Sequence, residues 1–295
     1  MMYFIAFLSP LFYALSVVIE SFLSVSVFKK PIVMLFFVSL TNALFVPVVL
    51  FLGMPTWPGG ESWGIYTLIA CIDICYLYPY YKALKKTDTS IVSSLFALGK
   101  IFVPVLSFVI LQERLAFSQY VGFVIIILAS AFLNKKSRDK FHLNQAFYLM
   151  FLSSFLLALR ICMVKYVLEA DDNYVNVLIY PNLISGLIPF TFLIFSQNRR
   201  EIKKQAATYR ERFKFFMVIE FLTFLAVSCS TIALSKLSPV ISTAIEATEP
   251  LFVLAIAMVV NRMGIYRFRT SIGVWKKVCC FILIILGIVL TCAER

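Results

Sequence analysis

The sequence predicts an all-α integral membrane protein with ten transmembrane helices in two inverted five-helix repeats. Three observations carry that expectation. The 295 residues are 61% hydrophobic and 14% charged, with a mean hydropathy of +0.93, against about 45–50% apolar and about 25% charged in soluble domains. The apolar residues fall into ten runs of about 20 residues, the length that crosses a bilayer as a helix. Two offsets within the chain, of 150 and 144 residues, lay parts of the second five runs on the first. With 27 basic and 15 acidic residues, the charges are too few to cover a water-facing surface, which excludes a soluble enzyme, a disordered chain and a disulfide scaffold. Long unbroken apolar runs also argue against a β-barrel, whose strands alternate over about 10 residues.

The runs follow in order. The first, 3–27, has no basic residue before it and ends at Lys29-Lys30-Pro31, so it is expected to be retained rather than cleaved. The second, 31–53, stops at the Gly- and Pro-rich stretch from Gly53 to Gly60. The third, 63–84, ends at Lys85-Lys86; the fourth and fifth, 89–111 and 118–134, flank Glu113-Arg114. The sixth, 144–168, precedes Asp171-Asp172-Asn173, and the seventh, 175–196, leads into 197–212, the one long connection, charged around Arg199-Arg200-Glu201. The eighth and ninth, 213–235 and 239–261, are parted at Pro239, and the tenth is 275–292. The repeats divide as 1–143 and 144–295.

The net charge of +12 does not point to nucleic acid, because the basic residues lie in the gaps between runs. Alternate connections carry 20 Lys and Arg on one side and 3 on the other, which predicts both termini outside and the 135–142, 199–214 and 262–277 connections in the cytoplasm. The seven cysteines sit in or beside apolar runs without zinc spacing and read as small packing residues; the single histidine, His142, lies in a basic loop. No metal, cofactor or nucleic-acid partner is expected.

At the 150-residue offset Ala83-Leu84 falls on Ala233-Leu234, and Lys86, Ile91, Ala97, Phe102, Val103 and Val109 meet identical residues, giving 8 identities in 33 positions. At the 144-residue offset Phe7-Leu8-Ser9 falls on Phe151-Leu152-Ser153, and Ala14-Leu15 on Ala158-Leu159. Halves joined after five spans lie inverted in the membrane, an architecture that places a transport site near the midplane.

Ionisable residues inside the runs sharpen this. Glu20, Asp73, Lys100, Arg160, Lys165, Glu220, Glu246 and Glu249 each carry a penalty of about 2.5–3.5 kcal/mol at a helix centre on insertion scales, unless they pair or face water. A shared cavity lowers that penalty for the whole set. Lys165 and Glu220 lie near span ends and can snorkel. In the first span Ser9, Tyr13, Ser16 and Glu20 form one polar stripe at helical spacing. The 144-residue offset carries Ser16 onto Arg160, so Arg160 should line the same cavity from the other half. Asp73, Tyr76 and Tyr80 share a face of the third span, Ser93, Ala97 and Lys100 a face of the fourth, and Glu246 and Glu249 a face of the ninth. Tyr180-Pro181-Asn182 marks a kink in the seventh. The substrate-contacting set is therefore Tyr13, Ser16, Glu20, Asp73, Tyr76, Tyr80, Lys100, Arg160, Glu246 and Glu249; the opposing interpretation is that these charges merely neutralise one another in buried pairs.

The stretch from Ala83-Leu84 through Ser90, Ser93 and Ser94 to Gln112-Glu113-Arg114-Leu115 and Gln119-Tyr120-Val121-Gly122, with Ala233-Leu234 and Glu249-Pro250 in the second half, resembles the half-repeat of EamA-type carriers of the drug/metabolite transporter superfamily. Gln112 stands where that pattern has Gly, Lys100 where the first repeat often has Pro, and Met263-Gly264 where the second has Glu-Arg. The resemblance implies a carrier of small organic molecules. Glu113-Arg114 reads as a structural cap.

Together these features point to a secondary active transporter of a small polar or zwitterionic metabolite, an amino acid or derivative, working by alternating access and coupled to protons or to exchange for a counter-substrate. The expected setting is a bacterial inner membrane, with the lipid bilayer as partner. A carrier of nucleotide sugars, sugar phosphates or a nucleoside-type cofactor such as S-adenosylmethionine is the alternative within transport. The sequence has no Walker loop for ATP-driven transport. A lipid-modifying membrane enzyme would need a catalytic histidine, a metal cluster or an activated nucleophile. The charge distribution makes one prediction directly: a cysteine placed in 199–214 is shielded from impermeant maleimide in intact cells, whereas one appended after Arg295 labels; the opposite pattern would reverse the orientation.

Overall fold

The computed structural model describes residues 2–23, 27–28, 30–86, 92, 96, 100–114, 116–134, 145–170, 173–262, 279, 282–287 and 290–291. Among these the chain is helical and has no strand. The helices are α1 (Met2–Phe22), α2 (Pro31–Ala43), α3 (Gly60–Leu84), α4 (Phe102–Leu111), α5 (Phe117–Asn134), α6 (Gln145–Ala170), α7 (Tyr174–Leu187), α8 (Ser196–Lys236), α9 (Pro239–Glu246) and α10 (Glu249–Arg262). Among the described residues, five stretches are long and apolar enough to cross a bilayer: Met2–Glu20, Pro31–Phe51, Phe147–Ala170, Tyr174–Ile194 and Ser196–Lys236. Helix α3 is 25 residues long, but Asp73 and its tyrosines dilute its apolar character. Large side chains facing outward, such as Phe51 at 91%, Phe4 at 70% and Leu187 at 68% exposure, give the bundle the apolar exterior that a bilayer requires.

The structure redraws several of the expected spans. The connection at 197–212 is helical, the first part of the 41-residue α8. At 1.5 Å per residue α8 is about 60 Å long, twice the hydrocarbon thickness of about 30 Å, so its basic first half continues the membrane helix outside the lipid core. That half is fastened to α2: the Tyr209 ring stacks on Phe37 at 4.2 Å, and its hydroxyl lies 2.8 Å from Thr41 Oγ1. The ninth run is broken at Ala247–Thr248 into α9 and α10. Three of the cysteines expected to pack inside, Cys71, Cys75 and Cys279, face outward, while Cys162 is buried. Ser90, Ser93 and Ala97, the 135–142 connection with its His142, residues 263–278 and the paired Asp171-Asp172 lie outside the described residues. Within the expected tenth span, residues 279, 282–287 and 290–291 are helical.

Both second helices of the halves change geometry in the same way. Helix α2 gives way to a 3-10 stretch at Val46–Phe51, and α7 to one at Ile188–Ile194, each with proline among its first residues, Pro47 and Pro189. Proline has no N–H for the α-helical bond, and the tighter turn accommodates the loss. Pro181, inside α7, breaks no span: the helix runs through it to Leu187, and the Asn182 amide donates to the Leu178 carbonyl at 2.7 Å.

Contacts fix the helix directions. Ser16 of α1 meets Ile219 and Thr223 of α8, while Ala6 clusters with Ala233 and Leu237, so α1 and α8 run antiparallel. Ser153 of α6 donates to the Tyr76 carbonyl and Arg160 reaches Asp73, so α3 and α6 are antiparallel too. Glu20 accepts from Tyr80 and Tyr81, with Tyr13 within electrostatic reach of Tyr76, which sets α1 and α3 parallel. Helices α6 and α8 thus run opposite to α1 and α3.

The halves are also clasped through the 52–57 segment. Asn176 Nδ2 donates to Thr56 Oγ1 at 2.7 Å, Asn176 Oδ1 accepts from the Thr56 amide at 2.9 Å, and Tyr180 donates to the Thr56 carbonyl at 2.8 Å. Gly53, at φ +156°, makes the turn into this clasp in a conformation that side chains disfavour.

Apolar burial does not drive helices together in lipid, whose tails are as apolar as leucine, so close backbone approach and polar contacts carry more of the association. One close approach is Gly122 of α5 against Gly287: a Cβ on Gly122 would lie 2.6 Å from the Gly287 carbonyl oxygen and 2.8 Å from the Thr291 amide nitrogen. Gly122→Ala is therefore expected to cost about 1–3 kcal/mol by overpacking and to lower the melting temperature in detergent. Gly64→Ala, where nothing lies within 4 Å, is the matched control.

Candidate functional site

A cavity of about 170 Å³ lies in the middle of the bundle, on the scale of a small organic solute. On one side is an apolar cluster built on Phe28, Phe37, Leu84 and Phe216, and on the other a cluster built on Tyr66, Phe123, Ile161 and Leu178. The polar residues that the helices could not turn to lipid face the space between.

All ten residues singled out by helical spacing line this cavity. Helix α1 contributes Tyr13, Ser16 and Glu20; α3 contributes Asp73, Tyr76 and Tyr80; α6 contributes Arg160. Lys100 stands just ahead of α4, Glu246 ends α9 and Glu249 begins α10, the break between the last two placing both carboxylates on the cavity wall. Lys165 does not line it: its ammonium donates to the Leu234 carbonyl at 3.1 Å and lies 3.7 Å from Glu169.

The charges are largely arranged in pairs. Arg160 Nε donates to Asp73 Oδ1. Lys100 Nζ is 4.0 Å from Glu246 Oε2, while Ser230 is hydrogen-bonded to Oε1 of the same carboxylate. Glu249 is within electrostatic reach of Lys100. Glu20 accepts hydroxyl hydrogen bonds from Tyr81 and, at 3.4 Å, from Tyr80.

Sequence spacing missed Tyr81 and set aside Glu220. Tyr81 follows Tyr80, so a count in threes and fours from Asp73 selects only the first of them. Glu220 seemed close enough to a helix end to snorkel. The structure starts α8 at Ser196, which puts Glu220 deep in the helix at 2% exposure, and it lines the cavity. Its spacing with Thr223, Val227 and Ser230, all cavity-lining, is the signal that could have found it.

Two contacts recur under the offsets read from the sequence. Shifting Ser16 by 144 gives Arg160 and shifting Asp73 by 150 gives Thr223. Ser16 is hydrogen-bonded to Thr223 at 2.8 Å, as Arg160 is bonded to Asp73. Shifting Tyr80 and Phe96 by 150 gives Ser230 and Glu246; the first two rings meet edge to face at 5.3 Å and the second two residues share a hydrogen bond. The two halves therefore repeat these contacts with different chemistry.

Comparison with known proteins agrees with this geometry. The sequence matches the EamA-like transporter family twice, over residues 1–135 and over residues 144–293. The chain belongs to the EamA-like transporter family. One crystal structure, titled only as that of a protein, aligns with 98% of this chain and 96% of its own at a TM-score of 0.65 and 11% identity; the likeness is one of fold. No curated protein sequence matches. The EamA-like chain is thus a multi-pass membrane protein of a transporter family, with two copies of the family repeat.

The family resemblance also explains a strained turn in the EamA-like chain. Gln112, where the pattern has Gly, adopts a left-handed conformation at φ 55°, the only non-glycine among the described residues with positive φ. Glu113 beside it accepts from the Ser107 hydroxyl while its amide donates to the Ser107 carbonyl, closing the end of α4. The Glu113 role is a cap, as the sequence suggests.

The Asp73–Arg160 pair gives a quantitative test. Arg160→Ala or Asp73→Ala alone strands a charge and is expected to destabilise the protein by about 3–5 kcal/mol. The double substitution should cost well under the sum of the two. Thermal melts of the three variants in detergent measure the coupling; simple additivity would mean that the pair contributes nothing.

Proposed function

We propose that this EamA-like chain is a secondary active transporter of a small amine-bearing polar metabolite, an amino acid or amino-acid derivative, moved by alternating access between the repeats 1–143 and 144–295. The observation that carries this reading is the central cavity lined by groups of both charge signs from both halves. Carboxylates there suit an amine; Arg160 offers a planar fork that suits a carboxylate. Coupling runs through a proton gradient or exchange for a counter-substrate, with Glu246 and Glu249 as the carriers of the proton. The ten-span topology and a bacterial inner-membrane location belong to the same reading.

Uptake by protein reconstituted into liposomes tests it, with amino acids and their amides offered under an imposed pH gradient, under counter-substrate loading, and under neither. Saturable uptake driven by one of the two gradients is expected. Glu246→Gln and Glu249→Gln should flatten its pH dependence while leaving the melting temperature within a few degrees. An unchanged pH profile in both variants assigns these glutamates to packing, and absence of uptake across the series overturns the transport proposal.

A further inference from the structure

We propose that the cavity selects a net organic cation, an amine whose carboxylate is absent or masked, and that the cation sits between Glu20 and Glu220. This narrows the transporter reading to derivatives without a free carboxylate, since Asp73 already holds the Arg160 fork, and rests on that reading for the fate of the solute, though not for its binding. Among the described residues, five carboxylates and two cations line the cavity. Asp73 takes Arg160, and Lys100 lies 4.0 Å from Glu246. Both cations are thus engaged before any solute arrives, and a solute carboxylate would have to compete with a protein carboxylate for each of them.

Acid is left over elsewhere in the same cavity. Glu20 from α1 and Glu220 from α8, 9% and 2% exposed, line the same cavity where the two helices meet, one turn from the contacts of Ser16 with Ile219 and Thr223. Among the described residues, Glu20 accepts hydrogen bonds only from the tyrosine hydroxyls of Tyr80 and Tyr81. Glu220 has neither a hydrogen bond nor an ion pair among the described residues, yet its side chain lines the cavity. A buried carboxylate without a donor costs more free energy than almost any other side chain. An ammonium group between the two supplies the missing charge and N–H donors. The wall around them suits the rest of such a molecule: Tyr80 and Phe96 present rings that meet at 5.3 Å, and Tyr76 lines the same face. Aromatic faces attract organic cations, including quaternary ones with no N–H to donate.

The test is a matched series on one hydrocarbon body, measured as ligand-induced melting shifts and equilibrium binding to the purified full-length protein in detergent. The probes are 2-phenylethylamine, its N,N,N-trimethyl derivative, phenylalaninamide, phenylalanine and 3-phenylpropionate. The three cations are expected to bind at least tenfold tighter than phenylalanine, and 3-phenylpropionate least. Glu220→Gln and Glu20→Gln, which keep the side-chain shape, should each weaken the cations about tenfold and leave phenylpropionate unchanged. Phenylalanine or phenylpropionate binding as tightly as the amines overturns the proposal, and so does failure of every cation to bind. Because the ranking is read on the unmodified protein, it stands even where a variant does not fold. Sodium chloride that reproduces the amine's shift in place of the amine also overturns it. Cation binding without uptake in liposomes would overturn the transport reading alone; uptake of phenylalanine unaffected by either glutamine variant would overturn this one alone.

Discussion

An ionised side chain cannot be left in hydrocarbon, and that penalty organises the interior of this protein. Water pays no part of the cost at the membrane centre, and the hydrophobic effect that holds soluble bundles together is nearly absent between helices in lipid. Asp73 and Arg160 on α3 and α6 each leave the other only one economical place to be. Glu20, Lys100, Glu246 and Glu249 are drawn into the same space by the same penalty. The apolar clusters on either side of the cavity fill what remains, and glycine contacts such as Gly122 against Gly287 bring the backbones close enough for dispersion to hold them. The cavity is thus the arrangement that lets the surrounding helices exist in a bilayer.

Much of that was readable in the sequence because the same penalty makes each charge conspicuous there. A glutamate in a phenylalanine- and leucine-rich run has to face inward, and a spacing of three or four residues says which neighbours face inward with it. For that reason Ser16, Glu20, Arg160 and Lys100 were placed on one cavity from spacing and offsets alone. Features governed by backbone geometry were less legible. Hydropathy sees polarity and not helix continuity, so the basic start of α8 read as a connection although its backbone continues the membrane helix. The misplacement of Glu220 followed directly from that boundary. The break between α9 and α10, which sets Glu249 on the cavity wall, spans Ala247 and Thr248 and is signalled in the sequence only by Pro250, which has no N–H to bond back to the Glu246 carbonyl.

The repeated features show how duplication and divergence share the work. Helix α2 and helix α7 each pass into a proline-led 3-10 stretch, and the reversed directions of the α1/α3 and α6/α8 pairs follow from contacts in the two halves. Geometry set by proline or by close packing has been retained in both copies. Side-chain chemistry at the cavity has not: Tyr80 against Phe96 is an aromatic contact in one half, while Ser230 with Glu246 is polar in the other. A scaffold that is nearly symmetrical therefore encloses a site that is strongly asymmetrical.

That asymmetry bears on the order in which such a protein can change over generations. At the Ser16–Thr223 seam either hydroxyl can be exchanged for alanine in a single step, because a lone hydroxyl loses little and an alanine fits the same space. The Asp73–Arg160 seam has no comparable single step, since every one-residue path passes through a buried charge with no counter-ion. Descendants of this chain should drift freely at the first seam, whereas at the second they inherit both residues or neither. Drift at one seam between the repeats and joint inheritance at the other are then consequences of a single physical difference between a hydroxyl and an ion.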